Sequence, residues 1–339
     1  MKIYSLLLIT VLAIYSCGYD EQNIAEDLYY LAEETNPSQY FEISPDSDTV
    51  LIGSLGTKIY IKANSLTFDD GELTSSEVTL KLKEVYSKAD MILNGLTTTS
   101  DDNLLESSGM INITASSEGR NLELNVEYPI RIQFQKKSER SMMRTYLGNL
   151  DSTRMNWILD TNNVYDTIKY STRVEMIIHL DVPEDVVTVM DVLYGLVGLD
   201  TIEIKRTPVF DNQDSTFYYQ PFYEIHATSL NWINCDYFNE SKNNTNVLVK
   251  KIENTKTLNF LVFKDINSVM GPWDYDENNI MFRNVPHGSQ VTIVSIGKKD
   301  ADYLLATKDI IAGQTNQEIG LDYEKHSLEE IDKKIKSSF

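Results

Sequence analysis

The chain has 339 residues, with 51 Asp and Glu against 30 Lys and Arg, a formal charge of -21, and 42% hydrophobic and 10% aromatic content. This length suits two or three domains, and the apolar content is enough to build cores, which excludes a disordered chain. The charge argues against nucleic acid, because phosphate recognition needs a cationic surface and no Lys/Arg cluster is larger than a pair such as Lys136-Lys137 or Lys333-Lys334. It also repels anionic membrane surfaces, so attachment to a bilayer would have to come from lipid.

At the N-terminus, Lys2 supplies a positive charge, residues 3–14 are apolar, and Ser16 precedes Cys17. Crossing a bilayer takes roughly 20 apolar residues, and this run ends too soon, so it reads as a secretory signal. The pattern resembles the lipobox of bacterial lipoprotein signals, with Ile14 and Ser16 in place and a bulky Tyr15 where a small residue is usual. The resemblance implies a signal peptide over 1–16, acylation of Cys17 and anchoring in the cell envelope, at the outer membrane. The alternative is an ordinary cleaved signal that leaves Cys17 unmodified. Several acyl chains hold a bilayer stably where one holds it marginally. Asp20 and Glu21 resemble the export tag of surface lipoproteins in the Bacteroidota. Once Cys17 is lipidated only Cys235 remains, so no intrachain disulfide is expected and a buried, inert thiol is the first reading.

Residues 17–45 are polar and acidic, with Asn36, Pro37 and Pro45 as breakers and Ile24, Leu28 and Leu31 at helical spacing. They are expected to form an acidic tether carrying one short helix. From 46 to 135 the apolar period becomes two: Ile59 and Ile61, Val78 to Leu82, Ile111 to Ala115, Leu122 to Val126 and Ile130 to Phe134 alternate with polar neighbours. An antiparallel β-sandwich is expected, with tight turns at Asp70-Gly71 and Glu118-Gly119.

Within it, residues 86–109 hold the densest set of oxygen ligands in the chain. Asp90, Asp101, Asp102 and Glu106 could approach a Ca²⁺ ion, which takes about six to eight oxygens. The alternative is a strand over 97–100, a hairpin turn at 101–103, and Asp90 beside the cap of a helical turn. No other cofactor or metal is suggested.

Residues 136–240 read as a mixed, mostly β middle region: a helix or crossing loop over 136–150, strands over 155–159, 164–170, 174–180 and 201–204, and an ambiguous apolar stretch over 186–199. Residues 217–223 place five aromatic rings in seven positions, which makes Tyr218 and Tyr219 candidates for stacking on sugars or partner proteins, or members of a buried strand. Trp232 and Asp236 read as a junction between domains or as a ligand site. A second, small sandwich is expected over 245–322, from six short strands with turns at Pro286-His287-Gly288 and 297–300. In the tail over 323–339, Ser327-Leu328-Glu329-Glu330 predicts a capping box opening a helix with Ile331 and Ile335 on one face.

Five strings carry a family resemblance: Gly56-Thr57-Lys58-Ile59-Tyr60-Ile61-Lys62-Ala63-Asn64, Val85-Tyr86-Ser87-Lys88-Ala89-Asp90-Met91-Ile92-Leu93, Leu105-Glu106-Ser107-Ser108-Gly109-Met110-Ile111, Trp232-Ile233-Asn234-Cys235-Asp236-Tyr237-Phe238 and Asn284-Val285-Pro286-His287-Gly288. Together they resemble a family of Bacteroidota envelope lipoproteins of unassigned function, with Asn231 where that family tends to have Gly and Tyr237 where it tends to have Arg. The first half is similar, more loosely, to the ZU5 type of β-sandwich, and the last unit to prealbumin-like accessory domains. The resemblance implies location and an all-β architecture of tandem antiparallel β-sandwich domains with short N- and C-terminal helices, and it brings no catalytic residues.

His179, His226, His287 and His326 have no metal-ligand spacing, and no zinc, nucleophile-elbow or phosphate-loop signature is present. Asp274-x-Asp276-x-Asn278 opens like a Ca²⁺ loop but lacks the Gly and the closing Glu, which favours a solvated turn. Asp48-Thr49-Val50, Asp166-Thr167-Ile168 and Asp200-Thr201-Ile202 resemble O-glycosylation sites of this bacterial group. The function expected is non-enzymatic: a lipid-anchored module that binds or scaffolds a partner protein or polysaccharide. The alternatives are a hydrolase of envelope glycans using carboxylates such as Asp90, Asp101 and Glu106, and a purely structural spacer.

Overall fold

A computed structural model describes residues 19–135, 140, 143–151, 154–161, 170–177, 216–299, 302–314 and 318–339. Its helices are α1 (Tyr19–Thr35), α2 (Lys88–Leu93) and α3 (Leu328–Ser338). The first strands are β1 (Gln39–Ile43), β2 (Thr49–Ile52), β3 (Lys58–Ile61), β4 (Leu66–Thr67), β5 (Val78–Val85), β6 (Thr99–Ser100), β7 (Asn103–Ser117), β8 (Arg120–Leu124) and β9 (Ile130–Gln135). Then come β10 (Arg144–Asp151), β11 (Arg154–Leu159), β12 (Tyr170–Ile177), β13 (Thr216–Ala227) and β14 (Asn231–Phe238). The last are β15 (Asn244–Lys250), β16 (Thr257–Phe263), β17 (Val269–Met270), β18 (Asp274–Tyr275), β19 (Asn279–Pro286), β20 (Gln290–Lys299), β21 (Asp302–Ile311) and β22 (Glu324–His326).

The fold is all-β. One sheet runs β1-β5-β7-β14-β10-β11, and the sheet facing it runs β12-β13-β9-β3-β2. Between them the inward residues of the period-two segments meet: Ile59, Leu80, Leu82, Ile111, Ile113, Ile132 and Phe134 pack with Tyr223, Ile233 and Cys235. The strands of 46–135 therefore do not close on themselves. β14 is hydrogen-bonded to β7 and β13 to β9, so the first sandwich draws on residues 39–238 and crosses the boundary expected near 135. Segment 144–151, expected as helix or loop, is strand β10, because Tyr146 is buried and Gly148 lets the Trp232 and Trp157 side chains lie against its backbone. The apolar stretch 186–199 and the strand expected over 201–204 lie outside the described residues.

The tether reading of 17–45 is corrected across 19–43. α1 buries Ile24, Leu28, Leu31 and Ala32 against α2, α3 and the β16-β20 face, and β1 pairs along its length with β5. The helical spacing was visible, but the apolar stripe is narrow and its covering surface comes from residues more than 50 positions away. The Lys83 ammonium ties this segment down, donating to Glu33 Oε1 at 2.8 Å and to the Ala32 carbonyl at 3.3 Å.

The C-terminal unit pairs β15-β19-β18 and β17-β16-β20-β21-β22. Val249, Leu261, Phe263, Ile280, Phe282 and Ile293 form its core, joined by Leu104 from β7. The opposite face of β16 and β20 (Phe260, Val262, Val294, Ile296) is covered by the three helices. α3 begins at a complete capping box on Ser327 and Glu330 and buries Ile331 and Ile335, as its sequence predicted.

β7 belongs to all three cores. Its half from Leu104 to Ile111 is buried on both faces, and only from Asn112 onward does burial alternate. Gly109 makes the change possible: at φ +152° its missing side chain leaves room for Tyr86 and Phe134, whose ring atoms would lie 2.5 and 3.1 Å from an added Cβ. Gly109→Ala is expected to lower stability by about 2–3 kcal/mol through overpacking and backbone strain. Urea unfolding followed by Trp fluorescence tests this; an unchanged midpoint would show that the rings move aside at no cost.

Candidate functional site

The segment richest in oxygen ligands, 86–109, is the joint between the two sandwiches. Its first turn is α2, opened by Ser87, whose hydroxyl accepts from the Asp90 amide at 3.0 Å and donates to the Asp90 carboxylate at 2.7 Å. Asp90 thus serves the cap, which suits the negative end of a side chain in a helix's first turn. Thr99 and Ser100 form β6, and Asp101 takes the turn with φ 50°. The Asp101 amide donates to Asn156 Oδ1 at 2.7 Å, and Asn156 Nδ2 donates back to the Asp101 carboxylate at 3.1 Å.

Beyond the turn, β7 is bonded to the C-terminal unit as well as to its own sheet. The Ser107 amide donates to the Asn267 carbonyl at 3.0 Å, Asn267 Nδ2 to the Ser107 carbonyl at 2.9 Å, and Ser268 Oγ to the Leu105 carbonyl at 2.6 Å. Thr98 bonds the backbone of Val269 in both directions. The hydroxyls that suggested a ligand loop satisfy the backbone of a buried joint. Such groups would otherwise be left unpaired in low dielectric.

Glu106 and Asp236 come together across β7 and β14, where Ser107 pairs with Asp236 and Glu106 with Tyr237 beside a register shift. Glu106 is buried and accepts from Arg140 Nε at 2.9 Å; the Arg140 guanidinium lies 4.9 Å over the Tyr237 ring, and its carbonyl accepts from the Tyr223 hydroxyl. Ser107 Oγ donates to Asn234 Oδ1 at 2.7 Å, and Asn234 Nδ2 to Asp236 Oδ2 at 2.7 Å. Asp236 Oδ1 is buried with no hydrogen-bond partner among the described residues.

Burial pushes Asp236 well above the usual carboxylate range, and the negative charge of Glu106 adds to the effect. Burial likewise pushes the Cys235 thiol up, so Cys235 is a packed, unreactive side chain.

The other candidates lie apart. Of the carboxylates considered for Ca²⁺, Asp90 is bound to Ser87, Asp101 to Asn156 and Glu106 to Arg140, so these three have separate partners, and no group of three or more His, Cys, Asp or Glu that could hold a metal occurs among the described residues. Trp232 is half-buried against the helix layer, with Gly148 beside its Cβ. Tyr218 and Tyr219 lie on β13 in register with Glu175 and Val174, and the placement of their rings lies outside the described residues, as does Cys17. In the loop that opens like a Ca²⁺ motif, Asp276 Oδ1 accepts from the Asn278 and Asn279 amides at 2.8 and 2.6 Å, an Asx turn.

The joint also leaves a surface groove that the sequence did not announce. One part, of about 210 Å³, is bounded by Asp102, Phe238, Asn239, Glu240 and Asn284. A separate depression of only about 10 Å³, the room of one water, is lined by Thr99, Asp101, Asp102, Trp273 and Arg283. Asp102 belongs to both. Asp102 is more than about 130 positions along the chain from Phe238, Asn239, Glu240, Trp273, Arg283 and Asn284, so local pattern carried no signal for their meeting.

Comparison of the chain with family models, with curated proteins and with solved structures finds no match.

The raised Asp236 has a stability consequence of definite sign. The folded state keeps the proton while the unfolded carboxyl loses it near 3.8, so the stability contributed by Asp236 is greatest in acid and falls as pH rises from there toward the folded value. Asp236→Asn keeps the shape, still accepts from Asn234 and cannot ionise. It is expected to unfold at a higher temperature than wild type near neutral pH, with the two curves converging in acid. Melting both proteins between about pH 4 and about pH 8 tests this; parallel profiles would refute it.

Proposed function

We propose that the chain is a lipid-anchored protein of the bacterial cell envelope, of the Bacteroidota kind its strings resemble, held at the outer membrane by Cys17. It acts there by binding a partner protein or polysaccharide, without catalysis.

The observation that carries this reading is the continuity between anchor and body. α1 starts at Tyr19, two residues after Cys17, and packs directly on α2, α3 and the C-terminal sheet. A lipid on Cys17 would therefore hold a multi-layered β body close to the bilayer in a set orientation, without a swinging linker. That suits a module that presents a surface. The carboxylates named for a hydrolase are spent separately: Asp90 on a helix cap, Asp101 on Asn156, and Glu106 inside the sheet with Arg140. A glycosidase needs two carboxyls facing one bound sugar across about 5 to 10 Å. Among the strings of the three-residue glycosylation type, Thr49 stands on β2, at the edge of its sheet, and the other two lie outside the described residues.

Cys17→Ala is expected to abolish incorporation of labelled fatty acid and to leave the leader uncleaved, so that the protein runs at precursor size and the lipidated mature species is lost. Mass spectrometry of the N-terminal peptide is the readout. Recovery of an unmodified Cys17 in the wild-type mature protein would sink the proposal.

A further inference from the structure

The geometry points to a binding site for an anionic sugar in the groove where α2 and α3 meet the ends of β16, β20 and β21, with Lys88 as the cation that receives the sugar's carboxylate or phosphate. This deepens the reading above, on which it rests for the class of partner.

Three observations carry it. The first is a cation without a counter-charge. Lys88 opens α2 and lines the groove, and its side chain is half-buried. Its ammonium donates to the Phe263 carbonyl at 2.6 Å and the Lys264 carbonyl at 3.4 Å, and it forms no ion pair among the described residues. Burial draws the amine below the usual lysine range, and Asp265 opposes this only from a distance. Two main-chain dipoles thus hold a charge that has lost part of its water. An ammonium has three donors, so one is left for a ligand, and a carboxylate or phosphate would supply the missing charge.

The second is an ordered polar floor. Thr292 on β20 is buried and donates to Asp309 Oδ1 at 2.6 Å, while Lys264 pairs with Asp309 Oδ2. Thr292 is in register with Val262 on one side and Asp309 on the other, so the floor continues the apolar face that the helices cover. The paired carboxylate and ammonium keep spare acceptors and donors for neighbouring sugar hydroxyls.

The third is size. The groove encloses about 660 Å³, within the about 300 to 1,000 Å³ that suits small-ligand sites, and Phe339, packed on the helix layer, adds an apolar wall.

Local charge decides the sign of the ligand, because the rest of the -21 is largely screened beyond about 8 Å at physiological salt. Lys88, Lys264 and Lys308 stand against Asp309 in the lining. The three cations still outweigh the acids when a carboxylate on Phe339 is counted and the negative end of α3 adds about half a charge.

The test uses the whole mature chain, titrated calorimetrically with a galacturonate pentasaccharide, with mannose 6-phosphate and with a neutral dextran pentasaccharide. At least one of the two anionic probes is expected to bind saturably, and which one binds assigns the charge to carboxylate or phosphate; dextran is expected not to bind. Lys88→Gln is expected to weaken that binding about ten-fold or more, while Lys62→Gln, at an exposed lysine paired with Asp48, leaves it unchanged. Should Lys88→Gln fail to fold, Lys264→Gln, at an exposed side chain, takes its place with an expected loss of about five-fold or more. Binding of neither anion, equally tight binding of dextran, or wild-type affinity in the deciding lysine variant would each overturn the inference. An acylated Cys17 in a protein that binds none of these probes would remove this inference and leave the anchored module standing.

Discussion

The double burial of one strand is the constraint from which the rest of the architecture follows. Between Leu104 and Ile111, β7 has no face toward solvent: Leu104 points into the C-terminal core, Leu105 and Met110 into the helix layer, and Ile111 into the first sandwich. A strand in that position must have every amide and carbonyl met by protein, and the partners come from all sides. β5 and β14 supply the ladder, while Asn267 and Ser268, from a loop of the other sandwich, close what the ladder leaves open. The two sandwiches are thereby coupled through hydrogen bonds as well as through apolar contact.

The helices belong to the same solution. A sheet with apolar residues on both faces needs a second cover, and β16 with β20 presents Phe260, Val262, Val294 and Ile296 away from its own core. α1, α2 and α3 fill the space between that face and the outer face of the first sandwich, where Tyr146, Met155 and Trp157 are buried. Trp157 Nε1 finds the Thr97 carbonyl at 2.5 Å, so its large ring is buried with its one donor satisfied. Anchoring chemistry at Cys17 would feed into this middle layer, which touches both sandwiches, and a lipid there would orient the whole body.

A chain of charge -21 does not spread its polar chemistry evenly. The interior of the joint holds Asp236, its carboxyl pushed well above the usual range by burial, beside the Glu106 and Arg140 pair. At the surface of the joint Asp101 and Asp102 lie near Trp273 and Arg283.

Sequence by itself determined the element types wherever one face of a strand is buried, because the period of two in 58–61, 78–82, 111–115 and 130–134 records that asymmetry directly. It also determined the C-terminal helix, whose capping residues Ser327 and Glu330 are local, and the turn character of 101–103. It did not reveal that 19–43 is part of the body, that β13 and β14 complete the first sandwich, or that the hydroxyls of 86–109 face a second domain. Those depend on which distant surface covers which residue, and neither a narrow apolar stripe such as Ile24, Leu28 and Leu31 nor a run buried on both sides such as 104–111 carries the address of its partner. Trp273 and Arg283 join Asp102 only because two sandwiches meet there, and that meeting is a property of the tertiary structure alone.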